Sequence, residues 1–219
     1  MMTPDEFIQS FQNFKENADK LLVENPYEYS ILRGPRIISS YFEDLLAIYI
    51  AENISNKKYR YFVDKSFFYK LNNKNKTCKP DILVCDNNKN ALAYFDAKTD
   101  LGSHKSSFAA FIEEKNNFIE DIKCKYLTTK IESTKTIEKH EEISVRITED
   151  IKYYIIVGGD WAHGNNYQKQ YDDVLKTCKN VTLNILVHWT TKKNDNFKIR
   201  TDDFKQFNEF LEKVAKHSS

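Results

Sequence analysis

Residues 79 to 100, KPDILVCDNNKNALAYFDAKTD, hold two apolar runs, DILVC and ALAYFDAK, on either side of the polar stretch DNNKN. Short runs rich in β-branched, aromatic and aliphatic residues, bounded by Asn and Asp clusters, predict two antiparallel strands joined by a tight turn. Such a hairpin constrains the fold strongly, because its register decides which side chains share a face. For a hairpin centred on Asn88-Lys89, opposed residue numbers sum to 177, so Asp81 faces Asp96. Directly opposed β carbons lie about 4.5–5.5 Å apart. Lys98, two residues beyond Asp96, falls on the same face as Asp96.

The flanking sequence predicts what this hairpin packs against. Thr3-Pro4-Asp5-Glu6 reads as a helix cap, a proline at the first helical position and a capping-box acid, opening a helix to about Glu24. A second helix is expected over 35–53, PRIISSYFEDLLAIYIAEN, apolar on nearly every side and so buried against a sheet. Residues 58–71 have the aromatic content of one or two strands, with NNKNK as the turn after them. A helical period runs over SSFAAFIEEKNNFIEDIKCKY, giving a helix over about 106–127. Segment 128–150 is charged and fits a short helix, a loop or an added strand. YYIIVGG and TLNILVHW read as buried strands flanking a helix near NYQKQYDDVLKT, and TDDFKQFNEFLEKVA as a capped terminal helix. Helices before, between and after strands imply an α/β fold, a mixed sheet with helices on both faces. The 219 residues, 41% of them hydrophobic, suit one globular domain over 1–219.

Several function classes find no support. There is no run of 18 apolar residues, and the acidic, amphipathic start has no signal-peptide pattern, so a cytoplasmic protein without a membrane partner is expected. Cys78, Cys85, Cys124 and Cys178 form no C-x-x-C pair and suggest neither a zinc site nor a disulfide framework. GGDWAHG matches neither a phosphate loop nor a dinucleotide fingerprint, and no Ser or Cys nucleophile arrangement is evident. The net charge of +1 hides local asymmetry: residues 57–79 carry eight Lys or Arg against one acid, Asp64, a balance of +7. Up to Glu28 the balance is −4, so a polyanion meets one favourable face. A solvated, Lys-rich strand edge accounts for the basic stretch equally well.

Asp81, Asp96 and Lys98 converge at one end of the predicted sheet. Like charges that close raise one pKa or need a cation between them, and paired carboxylate oxygens suit a hard ion such as Mg²⁺. A Lys beside the ion can orient or help deprotonate an attacking water, and the set suits phosphodiester hydrolysis better than acyl transfer. The bare D/E-x-K pattern also occurs at Glu113-Lys115, Asp121-Lys123, Asp150-Lys152 and Asp203-Lys205. Only 81, 96 and 98 lie on adjacent predicted strands at converging ends.

In this light PDILVCDNNKNALAYFDAK resembles the active-site motif of the PD-(D/E)xK nuclease superfamily: Pro80-Asp81, fourteen residues, then Asp96-Ala97-Lys98. The motif spans 19 residues, and the predicted helix 35–53, the hairpin, helix 106–127 and strand 152–158 follow in the order of that core. The resemblance implies a restriction-endonuclease-like core, with Asp81, Asp96 and the Ala97 carbonyl as Mg²⁺ ligands and Lys98 serving the water. Many members add a Glu from the preceding helix, and Glu43 is the candidate. Its helical neighbours Ser39, Ser40, Leu46, Ala47 and Ile50 are small or apolar, so it points inward. Its partner is then the metal or Lys98, or else Arg36 or Arg33.

Within the superfamily the chain looks most like a type II restriction endonuclease. That resemblance implies site-specific cleavage of double-stranded DNA by a two-fold homodimer. Sequence reading would fall to loops, with 101–107, 128–150 and 158–170 as candidates. Ser103, His104 and Lys105 suit phosphate contacts, and Asp160, Trp161, His163, Asn165, Asn166, Gln168 and Lys169 are types that bond base edges. Each loop is also explained as ordinary structure. Two other readings stand beside this one: a junction-resolving, repair or modification-dependent nuclease of the same fold, and a non-catalytic DNA-binding domain using the basic 57–79 strands.

Overall fold

The computed structural model describes residues 1–24, 39–54, 59–132, 140–161, 164–189 and 197–216. Helix α1 (Pro4–Glu24) begins with the expected reciprocal cap. The Glu6 amide donates to Thr3 Oγ1 at 3.2 Å and the Thr3 amide donates to Glu6 Oε2 at 2.8 Å. Its Phe7, Ile8 and Phe11 are buried against α2 (Ser39–Ile54), whose buried residues include Phe42, Leu46, Tyr49 and Ile50. Residues 35–38, expected to open α2, lie outside the described residues. The C-terminal α5 (Thr201–Lys216) joins this layer through Phe204, Phe207 and Leu211, and Tyr49 donates to Asn208 Oδ1 at 2.7 Å.

Among the described residues nine strands form one mixed sheet, most of its pairings antiparallel. Its spine runs β1 (Arg60–Val63), β4 (Ile82–Cys85), β5 (Asn90–Lys98), β8 (Tyr153–Val157) and β10 (Val181–Ile185). The first three are antiparallel, whereas β8 runs parallel to β5 and to β10. In the hairpin, Ile82 opposes Phe95, Leu83 opposes Tyr94 and Val84 opposes Ala93, which is the register expected from the turn. Cys85 then opposes Ala91, so Leu92 is an extra residue and forms a bulge. The bulge shifts the turn by one residue, and Asp86 closes it by accepting the Asn90 amide at 2.7 Å. Strand alternation splits the spine between two apolar layers. Ile82, Val84, Phe95 and Ile156 pack on α1, α2 and α5. Leu83, Tyr94, Ile155 and Val157 pack on α3 (Phe108–Ile122) and on Tyr171 of α4 (Gly164–Thr177). Helices thus cover both faces of the sheet. Among the described residues no helix is long and apolar enough to cross a membrane.

Two hairpins are added to this spine. NNKNK is not only a turn: Asn72 and Asn73 take φ of 49° and 60°, and Lys74–Cys78 forms β3, antiparallel to β2 (Phe67–Leu71). Strand β3 buries only Cys78, so no apolar alternation announces it. Helix α3 stops at Ile122, short of the expected 127, and Cys124 follows with φ 58°. The described parts of segment 128–150 form strands, β6 (Tyr126–Glu132) paired with β7 (His140–Ile147), while residues 133–139 of it lie outside the described residues. The two hairpins meet where Phe68 pairs with Thr128, giving a four-stranded arm in the order β7-β6-β2-β3. The arm joins the spine through a short parallel pairing of β7 with the start of β5. A small second sheet contains β12 (Phe197–Ile199), β11 (Val187–Trp189) and β9 (Asp160–Trp161).

Gly158, next after β8, marks the tightest approach between sheet and helices. A Cβ there would lie 2.9 Å from the Phe11 ring and 3.2 Å from Phe42. Gly158→Ala is therefore expected to cost about 1–3 kcal/mol through overpacking, read as a lower urea midpoint at unchanged slope.

Candidate active site

The carboxylates come together because β4 enters the sheet where β5 leaves it. Asp81 precedes β4 and is held by its backbone, its carbonyl accepting the Asp64 amide at 2.9 Å. Its side chain reaches across the hairpin, and Oδ2 accepts the Ala97 amide at 2.7 Å. Asp96 sits on β5 with only 6% of its surface exposed. Both of its oxygens have donors: Lys98 Nζ on Oδ1, and the Tyr153 hydroxyl on Oδ2 at 2.9 Å. The expected convergence of Asp81, Asp96 and Lys98 is present.

Burial and proximity set the charges. Burial, then the neighbouring Asp96 carboxylate, pushes the Asp81 carboxyl up to about 7, against the pull of the Ala97 amide and Lys98. Burial also works to raise Asp96, but the Lys98 ammonium and the hydrogen bonds from Lys98, Asp81 and Tyr153 outweigh it, and its carboxyl stays below the ordinary range. The two carboxylates therefore titrate as a pair, which holds one proton until about pH 7. A dication in place of that proton leaves both groups ionised, so the donor chemistry fits a hard ion such as Mg²⁺. Among the described residues no third His, Cys, Asp or Glu joins a ligand cluster. Mg²⁺ is commonly held by one or two carboxylates, with water and substrate phosphate completing its shell.

Glu43 on α2 is half-buried and faces this region. Burial first, and then Asp64, raises its carboxyl, while Lys98 and Lys79 lower it, so it lies within the field of the site without bonding to it. Arg33 and Arg36, the other expected partners, lie outside the described residues. Lys79 is paired with Asp64 at 2.6 Å, which ties the base of the β2-β3 hairpin to the strand entering at Asp81. Tyr153 was not foreseen from sequence. The available signal was a Tyr opening a buried strand, YYIIV, whose hydroxyl needed a partner.

The two expected DNA-contacting segments leave the sheet from the site's end. The amides of Gly158 and Gly159 donate to the Lys98 and Thr99 carbonyls at 2.8 and 3.0 Å, extending the parallel pairing past the site. Ser103, His104 and Lys105 lie in a 3-10 helix, Gly102–Ser107, directly after β5. The His104 ring stacks on Phe111 with centroids 4.2 Å apart, so one of its faces is committed to packing. Segment 158–170 is more ordered than a loop. Asp160 and Trp161 form β9, paired with His188 and Trp189, while Asn165, Asn166, Gln168 and the exposed Lys169 belong to α4. His163 lies outside the described residues. Turn-forming Gly and Asn dominate this stretch, which conceals both elements.

Compared with known proteins, the chain matches no family model, no curated protein and no solved structure. What the site defines by itself is a buried carboxylate pair with an attendant Lys, at the C-terminal end of a central strand.

Two measurements probe it. Asp81 binds its proton more tightly when folded, at about 7, than at its ordinary value of 3.8. Between those values the native state holds more protons than the unfolded one, so this group makes stability fall as pH rises, by up to about 1.4 kcal/mol per pH unit. In EDTA, Asp81→Asn is expected to gain stability relative to the unsubstituted protein steadily from pH 4 to 7, read by urea denaturation. A pH-independent difference would sink the shared proton. Tyr153→Phe removes one hydrogen bond to a buried carboxylate and is expected to cost about 1.5–3 kcal/mol at pH 7, measured the same way.

Proposed function

We propose that the chain is a Mg²⁺-dependent endodeoxyribonuclease of the PD-(D/E)xK type. The observation that carries this reading is the opposition of Asp81 and Asp96 across a hairpin, with Lys98 on the same carboxylate. A further support is the element order. Helix α2, the β4-β5 hairpin, helix α3 and strand β8 follow the core order implied by the resemblance, with β1 to β3 and the β6-β7 hairpin inserted. Asp81, Asp96 and the Ala97 carbonyl are the residues that would hold the ion. When bound, the ion supplies charge neutralisation at the scissile phosphate and a more acidic water. Lys98, beside Asp96, would orient an attacking water at the phosphate. Tyr153 fixes the Asp96 carboxylate, and Glu43 adds negative potential at the edge of the site.

The more specific form of this reading is a type II restriction endonuclease that cuts double-stranded DNA at a short sequence as a homodimer. A second reading, a nuclease for branched, modified or single-stranded DNA, is favoured by the exposed rings of Phe68 and Tyr126 on the arm. Incubation of the protein with unmethylated phage DNA in Mg²⁺ tests both. Discrete fragments that disappear with EDTA and with Asp96→Ala are expected for a restriction enzyme. Cleavage confined to branched, modified or single-stranded DNA would select the second reading. Lys98→Met is expected to slow cleavage about 10²- to 10⁴-fold, the usual range for loss of a proton-transfer group. If neither metal nor Asp96 matters and Asp96→Ala binds DNA as well or better, the chain is a binding domain and the nuclease reading falls.

A further inference from the structure

The arm hides one face and presents the other to solvent. Inward, Phe67, Cys78, Leu127, Ile143 and Val145 enter the apolar layer. Outward, Phe68 on β2 and Tyr126 on β6 are 52% and 61% exposed, although these are the two central strands of the four. With Phe68 opposite Thr128, the antiparallel register brings Tyr126 opposite Lys70, so the two rings are diagonal neighbours on one face. An apolar ring in the middle of a solvent-facing sheet is costly to maintain unless something covers it.

The surrounding side chains indicate what covers it. Lys70, Lys130 and Arg146 share the outward face with Glu142, and all four are exposed. Thr77, Thr128 and Ser144 add neutral hydrogen-bonding groups on the row of Phe68. An open recess of about 420 Å³ lies beside the rings, lined by Lys70, Asn75 and Lys125 among others. Cations around a pair of exposed aromatics on a four-stranded sheet match a polyanion that offers flat, unstacked rings. A duplex keeps its bases stacked on one another and would leave both rings idle.

We propose that the outward face of the arm is a stacking platform for unpaired bases of a nucleic-acid strand, centred on Phe68 and Tyr126. The platform rests on the nuclease reading above and names the form of substrate that the site receives. The connection is covalent and short. Thr77, opposite Phe68, precedes Asp81 by four residues, at most about 14 Å of chain.

Fluorescence anisotropy with labelled 12-nucleotide strands, as DNA and as RNA, and with the corresponding DNA duplex, tests this in EDTA. The expected result is tighter binding of a single strand than of the duplex. Phe68→Ala and Tyr126→Ala should each weaken single-strand binding roughly tenfold or more, while Tyr126→Phe, which keeps the ring, should stay within about twofold. Binding of either sugar form that is lost with the rings supports the platform, and the preference between them assigns the sugar. Equal affinity for duplex, or Ala variants that bind like the unsubstituted protein, would overturn it. Loss of self-association rather than of nucleic-acid binding in the Ala variants would also overturn it, by marking an interface between copies. Both rings are exposed, so unchanged urea midpoints are expected and separate a binding defect from unfolding. Because binding is read without metal, the two proposals fail separately. A chain that binds strands through the rings but cuts no DNA keeps the platform and loses the nuclease, and one that cuts regardless of the rings does the reverse.

Discussion

Two carboxylates pressed together across a hairpin, with one proton between them, require the rest of the molecule to hold them. Left to itself the pair would separate into water, where each acid titrates near its ordinary value. The sheet prevents this by fixing the Asp81 backbone to Asp64, the Asp81 side chain to the Ala97 amide, and Asp96 between Lys98 and Tyr153. The apolar layers on both faces of β4 and β5 then exclude the solvent that would screen the repulsion.

Strand β5 links the carboxylate pair to the four-stranded arm. Along its second half it pairs with β8, which supplies Tyr153 to the carboxylates. Near its start it pairs with β7, through which the four-stranded arm is attached. A second attachment runs through Lys79 and Asp64, where β3 turns into the segment bearing Asp81. Whatever settles on the outward face of the arm is therefore mechanically continuous with the site.

Legibility in the sequence followed the range of the interaction concerned. The α1 cap, the two hairpin strands and their register from Ile82–Phe95 to Val84–Ala93 depend on residues a few positions apart and were readable, whereas the bulge at Leu92 was not. Strand β3 was not, because an edge strand of Lys, Asn and Thr has no apolar period to detect. The β6-β7 hairpin was obscured by its charges, which are interleaved with the buried Leu127, Ile143, Val145 and Ile147. In 158–170 the Gly and Asn content read as a loop, yet β9 forms there because β11, nearly thirty residues later, offers it a parallel partner. Glu43 was expected to face inward from its helical neighbours and does, though its field comes from Asp64, Lys98 and Lys79 rather than from a bond.

By itself, then, the sequence determined that Asp81 opposes Asp96 and that Lys98 shares the face of Asp96. Turn chemistry and the two-residue strand period are local, and together they set that register for the part of the hairpin beyond the bulge. Only the tertiary structure decided that the pair is dry enough to share a proton, that Tyr153 holds Asp96 from 57 residues away, and that two separate hairpins join into an arm with Phe68 and Tyr126 outward. The reason is that burial and exposure belong to what packs on a residue, and the packing partners here come from distant parts of the chain.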